Sequence, residues 1–417
     1  MANRYWLGQA VPVAQVDTLT VGGTAASQTY TVTINNKEET YTATGAQTND
    51  EIATAIQEVL DASTIEEFGE YTYTVNANVI TATGPDDGMP VTISVSVSAG
   101  TGTFVKATVT AATGPNHWDN VDNWSGATLP VSTDSVYFRD SSVDVLYGID
   151  QNAVTLALLD FDSTYTGKVG LPDFHGAVAG GSTYSEYRET FLKIGATAVN
   201  IGRGTGAGSG RIRLNVGTAQ STVRMYGTAK PDQSGGVAFD FLGTHASNEL
   251  IASRGVFGVA TKPGTTATIA AAKIGSQGAA VSDVQGVFGD GCTLTDLRMT
   301  GGTLEIRNGL ATGLMTDGEL TISGSAGVTT SLAAHGGRVN YDTSGTLVSY
   351  YGGTGSTIDF SRIAVARTVT AAELVPNAGW IDPGKVAAVG GNGIRVRCKI
   401  DELAKLDLGE DMYIQRV

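Results

Sequence analysis

The sequence predicts a mainly β protein: a parallel β-helix (solenoid) with an inserted small α+β domain and a C-terminal cap. Three observations carry this reading. A glycine-cornered strand motif recurs at near-constant spacing between 294 and 363. A threonine- and valine-rich stretch with one well-signalled helix interrupts an aromatic N-terminal pattern that resumes after it. The repeat fades after Val369.

The motif is clearest at Gly301-Gly302-Thr303-Leu304-Glu305-Ile306. It recurs around Gly318-Glu319-Leu320-Thr321-Ile322 and Gly337-Arg338-Val339-Asn340-Tyr341, and less regularly around Gly353 and Ile358-Asp359-Phe360. Each copy is a turn signal followed by apolar/polar alternation, the pattern of a short strand with one buried face. The first apolar positions, Leu304, Leu320, Val339 and Ile358, lie 16, 19 and 19 residues apart. Such a period marks stacked supersecondary units. One coil cannot bury its apolar row alone, so neighbouring coils must cover it. Glycine suits the corners because it reaches positive φ without a Cβ clash. An antiparallel sandwich or barrel stays open as the alternative. Asn-Gly at 308–309 and 392–393, and Asp-Gly at 87–88, 290–291 and 317–318, are hairpin-compatible pairs.

Taken in order, residues 1–15 hold a short aromatic strand around Arg4-Tyr5-Trp6 that enters the solenoid. Residues 16–112 read as the inserted α+β domain. A hairpin is expected around Asn35-Asn36-Lys37, and Thr48 with Glu51 forms a capping box for a helix. Ile52, Ala55, Ile56, Val59 and Leu60 follow at helical spacing. The aromatic and polar character then resumes at Trp118-Asp119-Asn120 and Asn123-Trp124-Ser125. Such an insertion needs chain ends that lie close together at an exposed loop. Residues 113–370 are assigned to the β-helix. Residues 371–417 are assigned to a cap and attachment segment, with a turn at 380–384 and an alternating basic strand over 394–400.

Composition narrows the function. A net charge of −15 repels phosphate backbones and anionic lipid, so neither nucleic acid nor a membrane is an expected partner. The N-terminus lacks a signal-peptide design, and no apolar run reaches about 18 residues; synthesis in a cytoplasm is expected. Cys292 and Cys398 are read as two buried thiols. The loop 202–210 is glycine-rich, but no Lys-Ser/Thr and helix follow, so it reads as a solenoid turn and not a phosphate loop. His117, His175, His245 and His335 show no metal-ligand spacing. Asp240, Asp283, Asp290, Asp296 and Glu305 lie in or beside the repeats, yet their spacing puts no two on one face of adjacent coils. No catalytic, cofactor or metal residue is assigned, and no enzymatic activity is expected. Trp118 and Trp124 are read as pinning the start of the first coil, in preference to stacking on sugars.

The chain resembles bacteriophage virion proteins of β-helix type, found as capsid decoration (cement) proteins or among tail proteins. Arg4-Tyr5-Trp6, 118–125, 130–138, Tyr165-Thr166-Gly167, Leu192-Lys193-Ile194-Gly195, 243–248 and 301–306 carry the resemblance. It implies a homotrimer on the virion surface, bound to the major capsid protein and stabilising the shell. The alternative it leaves open is a tail spike or fibre component that binds, or cleaves, host-surface glycan. Attachment residues are expected at the two least solenoid-like ends: Arg4, Tyr5 and Trp6, and Trp380, Arg395, Arg397 and Lys399. The last three cations alternate along one strand and so share a face.

Overall fold

In the computed structural model the described residues are 2–23, 27–175, 184–233, 235–275, 283–324, 327–363, 366–375 and 377–381; beyond these, only the backbones of Val386–Ala388 and Ile394–Val396 are described. No helix among them is long and apolar enough to cross a membrane.

From Ser135 onward the chain winds as a parallel β-helix, in which each strand pairs with its counterpart one coil later, apart from the antiparallel pair Phe174–His175 and Tyr184–Ser185. One sheet stacks Ile212–Asn215, Phe239–Leu242, Gly255–Val259, Val284–Phe288 and Thr303–Ile306. It continues through Glu319–Ile322, Gly337–Tyr341, Ser356–Asp359 and Gly379–Ile381. We call this the first face. Two further faces come from one bent strand per coil: Ala267–Ile274, Cys292–Met299, Leu310–Met315, Thr329–Ala334, Leu347–Gly352 and Arg367–Leu374. The ladder skips one position in each, at 270, 295, 311, 330, 348 and 370. Around each skip two consecutive side chains leave the core, as Thr295 and Asp296 do between buried Leu294 and Leu297. Strict alternation would keep the strand straight; two outward residues in succession make the corner.

The four positions picked out by spacing are register partners: Leu304 lies beside Leu320, Leu320 beside Val339, and Val339 beside Ile358. Trp380 continues this row beside Ile358, and all five side chains are buried. The expectation of a turn at Trp380 is therefore corrected. Trp380 alternates with Gly379 and Ile381 as a strand and supplies the apolar cover that Ile358 requires. The parallel stack also runs past 370, with Val386–Ala388 paired to Arg367–Val369 and Ile394–Val396 to Ala372–Leu374. The remainder of the expected cap lies outside the described residues.

Phe257, Gly286 and Leu304 are consecutive partners on the first face. A Cβ on Gly286 would overlap the Phe257 ring and lie 2.8 Å from Leu304 Cδ1. Gly286 is thus the space into which Phe257 packs.

The start of the solenoid is closed by aromatics. Trp6, Trp118, Trp124, Phe138, Phe161 and Tyr165 are all at most 2% exposed. Trp124 meets Trp118 at 4.6 Å and Trp6 at 5.1 Å between ring centroids, edge-on in both cases, and Phe138 stacks on Phe161 at 4.6 Å. The indole N–H of Trp6 donates to the Val143 carbonyl and that of Trp124 to the Trp118 carbonyl. The first coil thereby receives the cover that later coils obtain from their neighbours.

Between Val13 and Thr113, which exchange backbone hydrogen bonds of 2.8 and 3.2 Å, the chain leaves to build a second hydrophobic core. A four-stranded antiparallel sheet orders Thr72–Asn76, Val79–Thr83, Val16–Gly22 and Thr103–Thr110. A three-stranded one orders Lys37–Thr42, Thr29–Ile34 and Ile93–Val97. Asn35 and Asn36 both take positive φ, the two-residue hairpin turn that asparagine tolerates. The helix Asn49–Asp61 starts at the Thr48/Glu51 capping box. Its buried face is Ile52, Ala53, Ile56 and Leu60. Ala53 thus takes the core position expected of Ala55, because the helix meets the sheet slightly rotated from the apolar centre of its pattern.

Candidate functional sites

The N-terminal strand Asn3–Tyr5 pairs in parallel with Ser135–Phe138 and is fixed by a buried carboxylate. Asp134 accepts hydrogen bonds from the Ala2 amide and from Arg4 Nε at 3.3 Å. Burial disfavours the Asp134 charge, but the Ala2 and Val131 amides and Arg4 outweigh it and hold the carboxyl below its ordinary range. Tyr5 stacks on Tyr137 at 5.2 Å, and the Arg139 guanidinium caps the other ring 4.5 Å from its centroid. Tyr5 therefore stands at the surface and Arg4 partly so. Trp6 and Trp380 do not. They are 2% and 1% exposed and belong to the solenoid core, so their indoles serve packing. The strand bearing Arg395 is described as backbone only, and Arg397 and Lys399 lie outside the described residues.

Several apolar side chains near the closed end of the solenoid are exposed. Leu7, Val11, Val13, Val121 and Val131 are all exposed, Val11 to 76%. They come from neighbouring segments: the Leu7 amide donates to Asn123, Val13 pairs with Thr113, and the Val131 amide reaches Asp134. This rim was missed in the sequence because its valines are scattered over non-repeating loops.

A second site is a polar cleft of about 290 Å³ beside the first face. Arg213 and Asp240 are adjacent register partners there. The Arg213 fork binds Asp173 through two nitrogens at 2.8 and 3.0 Å and also donates to the Leu171 carbonyl. Lys262 reaches Asp173 as well and donates to Thr190 Oγ1. Arg211 is held by the Gly170 carbonyl and by Asp232. Asp240 is 3% exposed. Its Oδ2 accepts from Thr261, while its Oδ1 has no partner. Burial pushes the Asp240 carboxyl up, against the pull of Thr261, Arg213 and Lys262.

Of the five carboxylates noted in the repeats, Asp240 and Glu305 do share an outward row, but Gly258 and Val287 stand between them. Three coils at roughly 4.8 Å each separate them by about 14 Å, beyond the 5–9.5 Å of a hydrolytic carboxylate pair. Trp118 and Trp124 are 1% exposed and present no face to a sugar.

The third cluster joins the inserted segment to the solenoid. Arg188 Nη1 donates to both oxygens of Glu70 at 3.1 and 3.2 Å, and its Nε to Glu186 at 2.9 Å. Tyr184 and Tyr187 also donate to Glu70. Burial pushes the Glu70 carboxyl up despite Arg188. Burial acts the same way on Glu186, but the His175 ring 3.8 Å away and hydrogen bonds from Arg188 prevail and hold it at about 2. This cluster was invisible in the sequence because its residues lie 118 positions apart.

No protein-family description, curated protein or solved structure matches this chain.

Proposed function

We propose that this chain is a structural protein of a phage virion, a capsid decoration protein that docks through the closed end of its solenoid. The observation that carries the reading is the rim itself. A core sealed by Trp6, Trp118 and Trp124 leaves Tyr5, Leu7, Val11, Val13, Val121 and Val131 exposed, with Arg4 fixed by Asp134. Clustered exposed apolar side chains with a polar border mark interaction surfaces, and aromatic and arginine residues are the usual anchors. The virion assignment is supported by the sequence resemblance, which also implies a homotrimer with the major capsid protein as partner.

Co-sedimentation with empty shells lacking the protein tests this. The wild type is expected to pellet saturably with shells. The double variant Leu7→Asp/Val121→Asp, which alters exposed side chains only, is expected to stay in the supernatant with an unchanged melting temperature. Pelleting by both proteins, or by neither, contradicts the proposal. Light scattering that gives a monomer at micromolar concentration contradicts the trimer. A tail spike or fibre that binds host glycan is the second reading, favoured by the polar cleft beside Asp240.

A further inference from the structure

We infer that the cleft beside Asp240 is a binding site for one saccharide unit bearing a carboxylate. The inference uses none of the rim residues and holds whether the chain sits on a shell or on a tail.

The floor of the cleft supplies an acceptor and no donor for it. Asp240 is buried, with Oδ2 engaged by Thr261 at 2.7 Å and Oδ1 without a partner. A buried acceptor left unmatched costs about 1–3 kcal/mol, and such groups call for an external explanation. Arg213 lies on the adjacent strand but is committed to Asp173 and Leu171, so it does not turn to Asp240. Oδ1 has less than 1 Å² of accessible surface, so a ligand hydroxyl or a bridging water donates to it only once the cleft wall yields slightly.

The walls supply unused donors. Arg211 is fixed through Nε to Gly170 and Nη1 to Asp232, which leaves Nη2 without a protein acceptor among the described residues. Lys262 uses two of its three N–H groups, on Asp173 and Thr190. Both cations are held in position before a ligand arrives, the arrangement that lowers the ordering cost of binding. With Arg213 and Arg307 they make four cations lining the cleft, against three aspartates, Asp173, Asp232 and Asp240, on a chain of net charge −15. Arg307 is paired with Glu305 at 3.1 and 3.3 Å, so the donors open to an anion are Arg211 Nη2 and the third N–H of Lys262. Val237 and Pro263 add an apolar edge for the face of a ring. About 290 Å³ sits at the small end of ligand pockets, which run from about 300 to 1,000 Å³. That size suits one sugar ring.

The test is ligand-observed NMR and calorimetric titration of the full chain with D-glucuronate, with D-glucose and acetate run in parallel. Glucuronate is expected to bind with a dissociation constant of about 1 mM or tighter, at least tenfold tighter than either comparison compound. Asp240→Ala is expected to weaken binding at least tenfold without lowering the melting temperature, because it removes a half-satisfied buried carboxylate. Lys262→Met, at a partly exposed position, is expected to weaken it too, and Asp359→Asn, on a distant coil of the same face, to leave it unchanged. Absence of glucuronate binding by the wild type overturns the inference. So does undiminished binding by both Asp240→Ala and Lys262→Met. Equal affinity for acetate or for glucose overturns the assignment of a sugar acid.

Discussion

Gly286→Ala examines the register on which the solenoid rests. Gly286 faces inward between Phe257 and Leu304, and an added methyl would overlap the Phe257 ring and approach Leu304 Cδ1 to 2.8 Å. Neither neighbour can retreat, because each is buried and belongs to a coil held by its own ladder. Overpacking of this kind costs about 1–3 kcal/mol. Alanine recovers about 0.5–1 kcal/mol relative to glycine within a strand. The net expectation is a loss of up to about 2.5 kcal/mol, centred near 1, read as a lower midpoint in urea unfolding followed by circular dichroism. The same change in a Phe257→Ala background should cost much less, because the ring is gone and only the Leu304 Cδ1 contact at 2.8 Å remains. The coupling in that double-mutant cycle is expected to reach at least about 1 kcal/mol. If residue 286 faced solvent, as a one-residue slip would require, the substitution would be neutral or stabilising. That result, or additivity in the cycle, refutes the register.

Arg188→Ala leaves the buried Glu70 carboxylate without its cation and should cost about 3–5 kcal/mol, measured by thermal unfolding at neutral pH. Glu186 titrates at about 2 when folded against an ordinary 4.5. Its stabilisation is therefore complete above about 4.5 and is lost as pH falls through about 2; a Glu186→Gln variant should lose the acid-dependent part of that profile, and an unchanged profile contradicts the assignment. Cys292 is buried, and burial pushes its thiol up to about 12. It should resist iodoacetamide at pH 8 until the chain unfolds, and rapid labelling of the native protein at Cys292 contradicts its place in the core.

The solenoid was legible because its physics repeats. Leu304, Leu320, Val339 and Ile358 each solve the same burial problem, so their spacing revealed their register. The helix was legible from Thr48 and Glu51, whose capping chemistry is local. Trp6 and Trp380 were misjudged as contacts because an indole at a chain end looks like a surface anchor, whereas here each covers an otherwise open apolar row. The clusters around Asp240 and Glu70 were not legible at all. Arg188 meets Glu70, and Arg213 meets Asp173, only after the solenoid brings distant coils together. No periodicity encodes such a meeting. The bent strands were hidden for a related reason: two outward residues in a row, such as Thr295 and Asp296, look like a broken alternation until the corner is seen.

Immunogold electron microscopy of intact virions, with antibody raised against residues 16–112, tests the central claim most directly. A capsid decoration protein places that segment all over the shell, so gold particles are expected on every face of the capsid and none on the tail. Label confined to the tail or its tip, with bare shells, contradicts the account.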